Sequence, residues 1–308
     1  MLKRIVTILC LICLTLSLAG CGTKDTTAAP AEKTDKLRVV VTFNAMRELA
    51  QAVGGDCVDI KTIVPDGAEP HDFEPKATDL TALAQARVFI MNGMGMEQAW
   101  AGKAIQAAGN DSLIVVTASE PVEPITVTAK PFPFRRQETS LSDPHTWLSL
   151  KNAAIESRRM RDAFIEADPA HRKDYEANEA AFQEKLSALQ QEYAGKFAKA
   201  KKPVFVTGHA AFGYLARDFG LHQASLTDVF AAGEPSARHL KELADFCKEN
   251  NIKVIFVENM ENPKIAQTLA EETGAAVDSL DTLESSQPGE DYLSIMQDNL
   301  EKIAGSMV

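Results

Sequence analysis

The chain has 308 residues, 45% of them hydrophobic and 24% charged, with a mean hydropathy of −0.14. These values exclude a disordered chain and leave room for two packed domains. A formal net charge of −11 offers no electrostatic footprint for a polyanion, so nucleic acid is not expected as a partner.

The N-terminus differs from the rest. Lys3 and Arg4 lead an apolar run from Ile5 to Ala19, shorter than the roughly 20 residues of a membrane-spanning helix, and the pattern predicts a secretory signal over residues 1–20. It ends in Leu18-Ala19-Gly20-Cys21, which resembles a bacterial lipobox and implies cleavage before Cys21 and acylation of its thiol. Two acyl chains anchor a protein stably where one is marginal. Residues 21–36 are polar, Ala/Thr-rich and proline-containing, a tether rather than a domain. Loss of residues 1–20 removes two positive charges and no negative ones, taking the net charge from −11 to −13. Of the five cysteines, only Cys57 and Cys247 then remain beside Cys21. They lie far apart in sequence, in contexts where a small buried residue serves, and are expected to be free thiols.

From residue 37 the pattern alternates β-type apolar runs with helical text. Strands are predicted over 37–43, 58–64, 88–92 and 113–117, with helices over 45–53, 78–86 and 97–108 between them. Near-continuous Val/Ile runs flanked by helices indicate parallel strands buried on both faces. Residues 120–144 are proline-rich and irregular and read as a solvated loop. Helical text follows over 152–166. Asp168-Pro169 then supplies an N-cap and a proline at the first helical position, and a helix of some 30 residues is expected to run to about Lys199. Its apolar residues are Tyr175, Phe182, Leu186, Leu189, Tyr193 and Phe197. After Pro203 the alternation resumes, with strands over 204–207, 223–227, 254–258 and 276–280 and helices over 210–219, 236–250, 263–273 and 291–303. The expected fold is α/β: two similar lobes with parallel central sheets, at 37–150 and 203–308, joined through linker helices at 151–202 with one long rigid helix among them.

Three of the six histidines occupy equivalent places, at or just after strand ends or in irregular text beside them. His71 lies in PDGAEPHDFEP, His145 in SDPHTWLS and His209 in VTGHAAFGYLA. Ligands of parallel α/β sheets bind outside the carboxyl ends of the strands, so these positions can converge on one crevice. Three neutral imidazoles with one carboxylate form the nitrogen and oxygen set that suits Zn2+. His171, His222 and His239 fall in polar helical or strand-edge text and are left aside.

The motifs GAEPHDFEP, DPHTWL, GHAAFGYLA, GEPS and GEDYLSIMQDNL together resemble the zinc-binding, ZnuA- and AdcA-like subgroup of solute-binding lipoproteins that serve ABC-type metal uptake systems. The resemblance covers essentially the whole chain after residue 36. It implies two α/β lobes on one rigid helix with the metal in the cleft, His71 and His145 as first-lobe ligands and His209 as a second-lobe ligand. Relatives that import manganese tend to carry a carboxylate where His209 stands, so zinc is implied here over a manganese-binding homologue. The fourth ligand comes from the loop SLDTLESSQPGEDY, where Glu284 holds the usual position and Asp281 is the alternative three residues earlier. The implied function is capture of Zn2+ outside the cytoplasm and delivery to an ABC transporter permease, by a monomer held to a bacterial membrane through Cys21. Residues 120–144 lack the His-rich insertion of many such binders.

A stiff helix between lobes resists wide hinge closure, so small tilts and loop ordering around Glu284 and residues 120–144 are expected on metal binding. Zinc ligands bind deprotonated, and affinity is expected to fall toward the imidazole pKa values. The rival readings are a zinc hydrolase and a surface adhesin. Four protein ligands close the coordination sphere that a catalytic zinc keeps open, and no HExxH motif occurs, so no enzyme is expected. Nothing in the sequence speaks for the adhesin directly.

Overall fold

The structure is a computed structural model that describes residues 36–129, 139–231, 234–259 and 262–307. The signal, Cys21 and nearly all of the tether lie outside the described residues. Two four-stranded parallel sheets form the frame. The first pairs β2 (Val58–Thr62), β1 (Leu37–Val41), β3 (Val88–Met91) and β4 (Ile114–Thr117) in that order. The second pairs β10 (Ala276–Leu280), β9 (Val254–Glu258), β7 (Val204–Thr207) and β8 (His222–Ser225). Taken in chain order within each sheet, both read second, first, third, fourth, so the two lobes repeat one topology. In such sheets the strand order reverses beside the first strand, and the crevice at its carboxyl end is the natural ligand site. His71 follows β2 and His209 follows β7, the two strands that flank or form that reversal.

Helix α1 (Asn44–Gly54), α2 (Ala77–Gln85) and α3 (Ala101–Ala108) complete the first lobe. α3 starts four residues later than the sequence pattern predicts. The carboxylate of Glu97 is taken up by the backbone amides of Asn92 (2.8 Å) and Gly93 (2.9 Å) and by Thr42 Oγ1 (2.9 Å), and it closes the loop before the helix. That loop holds Gly93, Met94 and Gly95 at positive φ, conformations that glycine admits freely.

Ser149 caps α4 (Leu150–Ala167) by accepting from the Asn152 amide at 3.0 Å. The long helix is α5 (Arg172–Phe197), 26 residues, or about 39 Å at 1.5 Å per residue. It is shorter than predicted because Pro169–His171 form a separate 3-10 turn. The Asp168 carboxylate does not cap amides there; it accepts from the Tyr175 hydroxyl at 3.0 Å and meets His171 Nδ1 at 2.6 Å. All six apolar positions from Tyr175 to Phe197 are buried. The second lobe adds α6 (Gly213–Phe219), α7 (Ala237–Asn250), α8 (Lys264–Thr273) and α9 (Tyr292–Ser306). Cys57 and Cys247 are free, and burial pushes the Cys247 thiol up to about 11.

One apolar core runs through both halves, with Phe43, Val88 and Trp147 in continuous contact with Phe205, Phe212, Leu283 and Tyr292. A shared core, unlike a polar interdomain interface, opposes separation of the lobes. Buried hydrogen bonds tie the same seam: Trp147 Nε1 donates to the Thr282 carbonyl (2.7 Å) and the Tyr292 hydroxyl donates to the Trp147 carbonyl (2.6 Å). Ser149 also donates to Asp218 across it. Tyr292→Phe removes one of these donors and leaves a buried carbonyl unpaired. It is expected to cost about 1–3 kcal/mol of stability, seen as a lower urea midpoint at unchanged slope.

Residues 120–144 are more structured than the sequence reading has them. β5 (Thr126–Ala129) and β6 (Thr139–Ser142) pair antiparallel, with Thr126 opposite Ser142. Ile125, Thr126, Val127 and Thr128 carry the β-branched residues of a strand, a signal masked by the prolines around them. Residues 130–138, with Phe132, Phe134, Arg135 and Arg136, lie outside the described residues. Among the described residues, no helix is long and apolar enough to cross a membrane.

Candidate metal centre

Four side chains meet where the carboxyl ends of the two sheets face each other. His71, His145, His209 and Glu284 each present one ligand atom, and these atoms all lie within 4.8 Å of one another. His209 Nε2 is 3.3 Å from His145 Nε2, and Glu284 Oε1 is 3.7 Å from His71 Nε2 and 3.8 Å from His145 Nε2. Zinc bound at about 2.0–2.1 Å to four tetrahedral ligands sets those ligands about 3.3–3.4 Å apart. The three separations given are within about half an ångström of that spacing, and the full set, within 4.8 Å, needs a modest contraction to close on one ion. His71 Nε2 and Glu284 Oε1 are buried without a hydrogen-bond partner, an arrangement that costs free energy unless something else satisfies them.

Each side chain is aimed by its own local structure. His145 donates from both its backbone amide and its ring toward Asp143 Oδ1, at 2.9 Å each. A ring proton held at Nδ1 leaves the Nε2 lone pair facing the cluster. Asn92 braces the same segment from below, donating to the Pro144 carbonyl (2.8 Å) and accepting from Thr146 Oγ1 (3.0 Å). Tyr214, from the other lobe, donates to the Asp143 carbonyl at 2.8 Å. The same helix comes so close that a Cβ on Gly213 would sit 2.8 Å from Asp143 Oδ2. The His209 backbone amide points at the Glu258 carboxylate (3.2 and 3.3 Å), and its Nδ1 lies 3.6 Å from Glu258 Oε1. Thr282 Oγ1 donates to Glu284 Oε2 at 2.8 Å, which leaves Oε1 for the centre. His71 packs its ring edge-on against His145 and Phe230.

Burial dominates the electrostatics. It holds His71 down to about 3, with the neighbouring His145 and His209 lowering it further, and it keeps His145 well below the ordinary imidazole value. It lifts Glu284 to about 7 and Asp143 to about 7, against the pull of the nearby histidines. His71 and His145 are thus neutral and ready to donate lone pairs, and Glu284 and Asp143 hold protons more readily than solvated carboxyls do.

Asp281 is turned elsewhere. Its Oδ1 accepts from the Leu283 amide (2.6 Å) and its Oδ2 from Asn259 (2.8 Å), so it shapes the loop that carries Glu284. The other histidines also stay away: His171 meets Asp168, His222 packs on Phe246, and His239 Nε2 lies against the Ser225 carbonyl. Asp143 and Glu258 are the participants that the sequence reading missed. A carboxylate two residues before His145 and another at the end of β9 were the available signals. Asp143→Ala is expected to weaken zinc binding about 10- to 100-fold, measured by competition with a chromophoric chelator.

The model of the family described as zinc-uptake complex component A, periplasmic, matches residues 39–306. The chain belongs to that family. It is 33% identical over 302 residues to the high-affinity zinc uptake system protein ZnuA of Bacillus subtilis (strain 168), covering 95% of this chain and 94% of that one. It is 42% identical over 275 residues to a putative metal-binding protein of Treponema pallidum (strain Nichols), covering 88% and 87%. Among solved structures, the laminin-binding protein Lmb of Streptococcus agalactiae, described as bifunctional with adhesin and metal transporting activity, matches with a TM-score of 0.79 at 35% identity, over 88% of this chain and all of that one. The family makes the chain a component of metal uptake outside the cytoplasm.

Proposed function

We propose that this chain captures Zn2+ outside the cytoplasm and hands it to an ABC transporter permease. His71, His145, His209 and Glu284 serve as the four ligands, and Cys21 as the lipid anchor to the membrane. The observation that carries the reading is the convergence of four ligand atoms from both lobes within 4.8 Å, buried, two of them without other partners. Three imidazoles and one carboxylate favour zinc over the harder manganese ion. With four protein ligands the sphere is closed and no position remains for a reactive water, so the site holds its ion as cargo and is not an enzyme's. The proposed organisation is a signal at 1–20, a tether at 21–36, lobes at 37–150 and 203–308 and linker helices at 151–202, working as a monomer. Because the lobes share a core, loading proceeds by loop movement more than by hinge closure.

Calorimetric titration of the mature chain, first with zinc and then with manganese, tests this reading. Tight binding of one zinc per chain, not displaced by manganese, is expected. Weak or non-stoichiometric zinc binding overturns it.

A further inference from the structure

Polar contacts cross the cleft at several depths. Those of Trp147, Tyr292 and Tyr214 are buried in the seam. Nearer the surface Ser149 and Lys151 meet Asp218 and Arg217 meets the Glu123 carbonyl, and at the exposed rim residues 66–67 on the loop that leads to His71 meet residues 285–286 on the loop that follows Glu284. There Asp66 accepts twice from Ser286, at Oδ1 from its backbone amide (2.8 Å) and at Oδ2 from its hydroxyl (2.7 Å). The Gly67 amide donates to Ser285 Oγ at 3.0 Å, and Asn44 Nδ2 reaches the Ser285 carbonyl at 3.2 Å. The Ser286 contacts hold the Asp66 carboxyl below the usual carboxylate range.

The two ends of the Glu284 loop are therefore held differently. Its leading part is fixed by buried or half-buried bonds: within its own lobe Asp281 donates its amide to Asn299 (2.9 Å) and accepts from Leu283, and across the seam the Thr282 carbonyl takes the Trp147 indole. Its trailing part is held to the other lobe through Asp66, Gly67 and Asn44. Between them Leu283 is buried with φ +59, a left-handed conformation that a leucine adopts only under constraint. Such a loop relaxes when one of its anchors is released. The exposed anchor is the cheaper one to release, because water replaces its partners, whereas parting the buried bonds strands polar groups.

We propose that Asp66, with Ser285 and Ser286, forms a clasp that gates the metal centre: closed, it holds the Glu284 and His71 loops together over the ion; open, it lets the ion leave or enter. Asp66 is a positioning residue that touches no ligand, and the inference rests on the zinc-binding reading above. The seam stays shut throughout, so exchange needs movement of residues 284–287 and 65–71 and no separation of the lobes.

The test is stopped-flow release of zinc to excess chelator from the wild type, Asp66→Ala, Asp66→Asn and Ser286→Ala, with association rates measured alongside. Asp66→Ala is expected to release zinc at least about tenfold faster, since it loses two hydrogen bonds to a charged acceptor. Ser286→Ala keeps the amide contact and gives a smaller acceleration, and Asp66→Asn keeps one acceptor and falls between the wild type and Asp66→Ala. Association is unchanged or faster in all three, which a general loosening of the ligand set would not produce. Zinc binding by the wild type with release rates unchanged in both Asp66→Ala and Ser286→Ala overturns the clasp alone. No zinc binding by the wild type overturns the functional reading and the clasp with it.

Discussion

Replacing His209 with alanine is expected to weaken zinc binding by about 10²–10³-fold, one ligand's share of a four-ligand structural zinc site. His209 is the one imidazole in the cluster contributed by the second lobe, and its loss leaves His71 and His145 facing a single carboxylate. Glu284→Ala is expected to act comparably, since it removes the only negative ligand and leaves a centre of three neutral rings. Asp281→Ala is the internal control. It removes the acceptor of the hydrogen bonds donated by the Leu283 amide and by Asn259, so some loss through the loop is expected, smaller than that of Glu284→Ala. Calorimetry on the three variants reads the order directly. An Asp281→Ala chain that binds more weakly than Glu284→Ala would transfer the fourth-ligand role to Asp281.

Zinc affinity is expected to fall about tenfold per pH unit below about 7, with about one proton released per ion bound near pH 6. The sign follows from which state holds the proton. Glu284 is raised to about 7 by burial, so below that pH the metal-free centre carries a neutral carboxyl, while zinc requires the carboxylate. Binding must then expel the proton, and the cost grows as pH falls. Asp143, also raised to about 7, steepens the dependence if it too must ionise to back the metal-bound His145 ring. His71, held down to about 3, and His145, held well below the ordinary value, contribute little over this range. For His71 and His145, affinity is therefore not expected to track ordinary imidazole titration. Ordinary imidazole values describe solvated rings, and these rings are buried. Calorimetry in buffers of different ionisation enthalpy counts the released protons, and Glu284→Gln is expected to flatten the pH dependence near 7 while binding more weakly.

Much of the fold could be read because parallel strands buried largely on both faces carry a near-continuous apolar signal, as in Leu37–Val41 and Val254–Glu258. The long helix was readable from six apolar residues at helical spacing. Its start differs because Asp168 looks like a cap in sequence, yet its carboxylate meets the side chains of His171 and Tyr175 rather than backbone amides. The β5–β6 hairpin was missed for the opposite reason: local proline content outweighed a short alternation that gains its worth only when paired. At the centre, three histidines at strand ends suggested a common site because parallel topology sends strand ends to one crevice. Asp281 and Glu284 are told apart only in three dimensions, where Asp281 is engaged by Leu283 and Asn259 and Glu284 Oε1 lies with the histidines. Glu258 meets His209 across 49 residues, a contact that sequence spacing does not encode, whereas Asp143 stands two residues from His145 and was within reach of the sequence.

X-ray absorption at the zinc edge of the loaded chain, joined to anomalous diffraction from its crystals, tests the proposed centre most directly. One zinc ion is expected between the lobes, with three imidazole nitrogens and one Glu284 oxygen at about 2.0–2.2 Å. A zinc bound elsewhere, or one that keeps fewer than three of these histidines, would contradict the assignment.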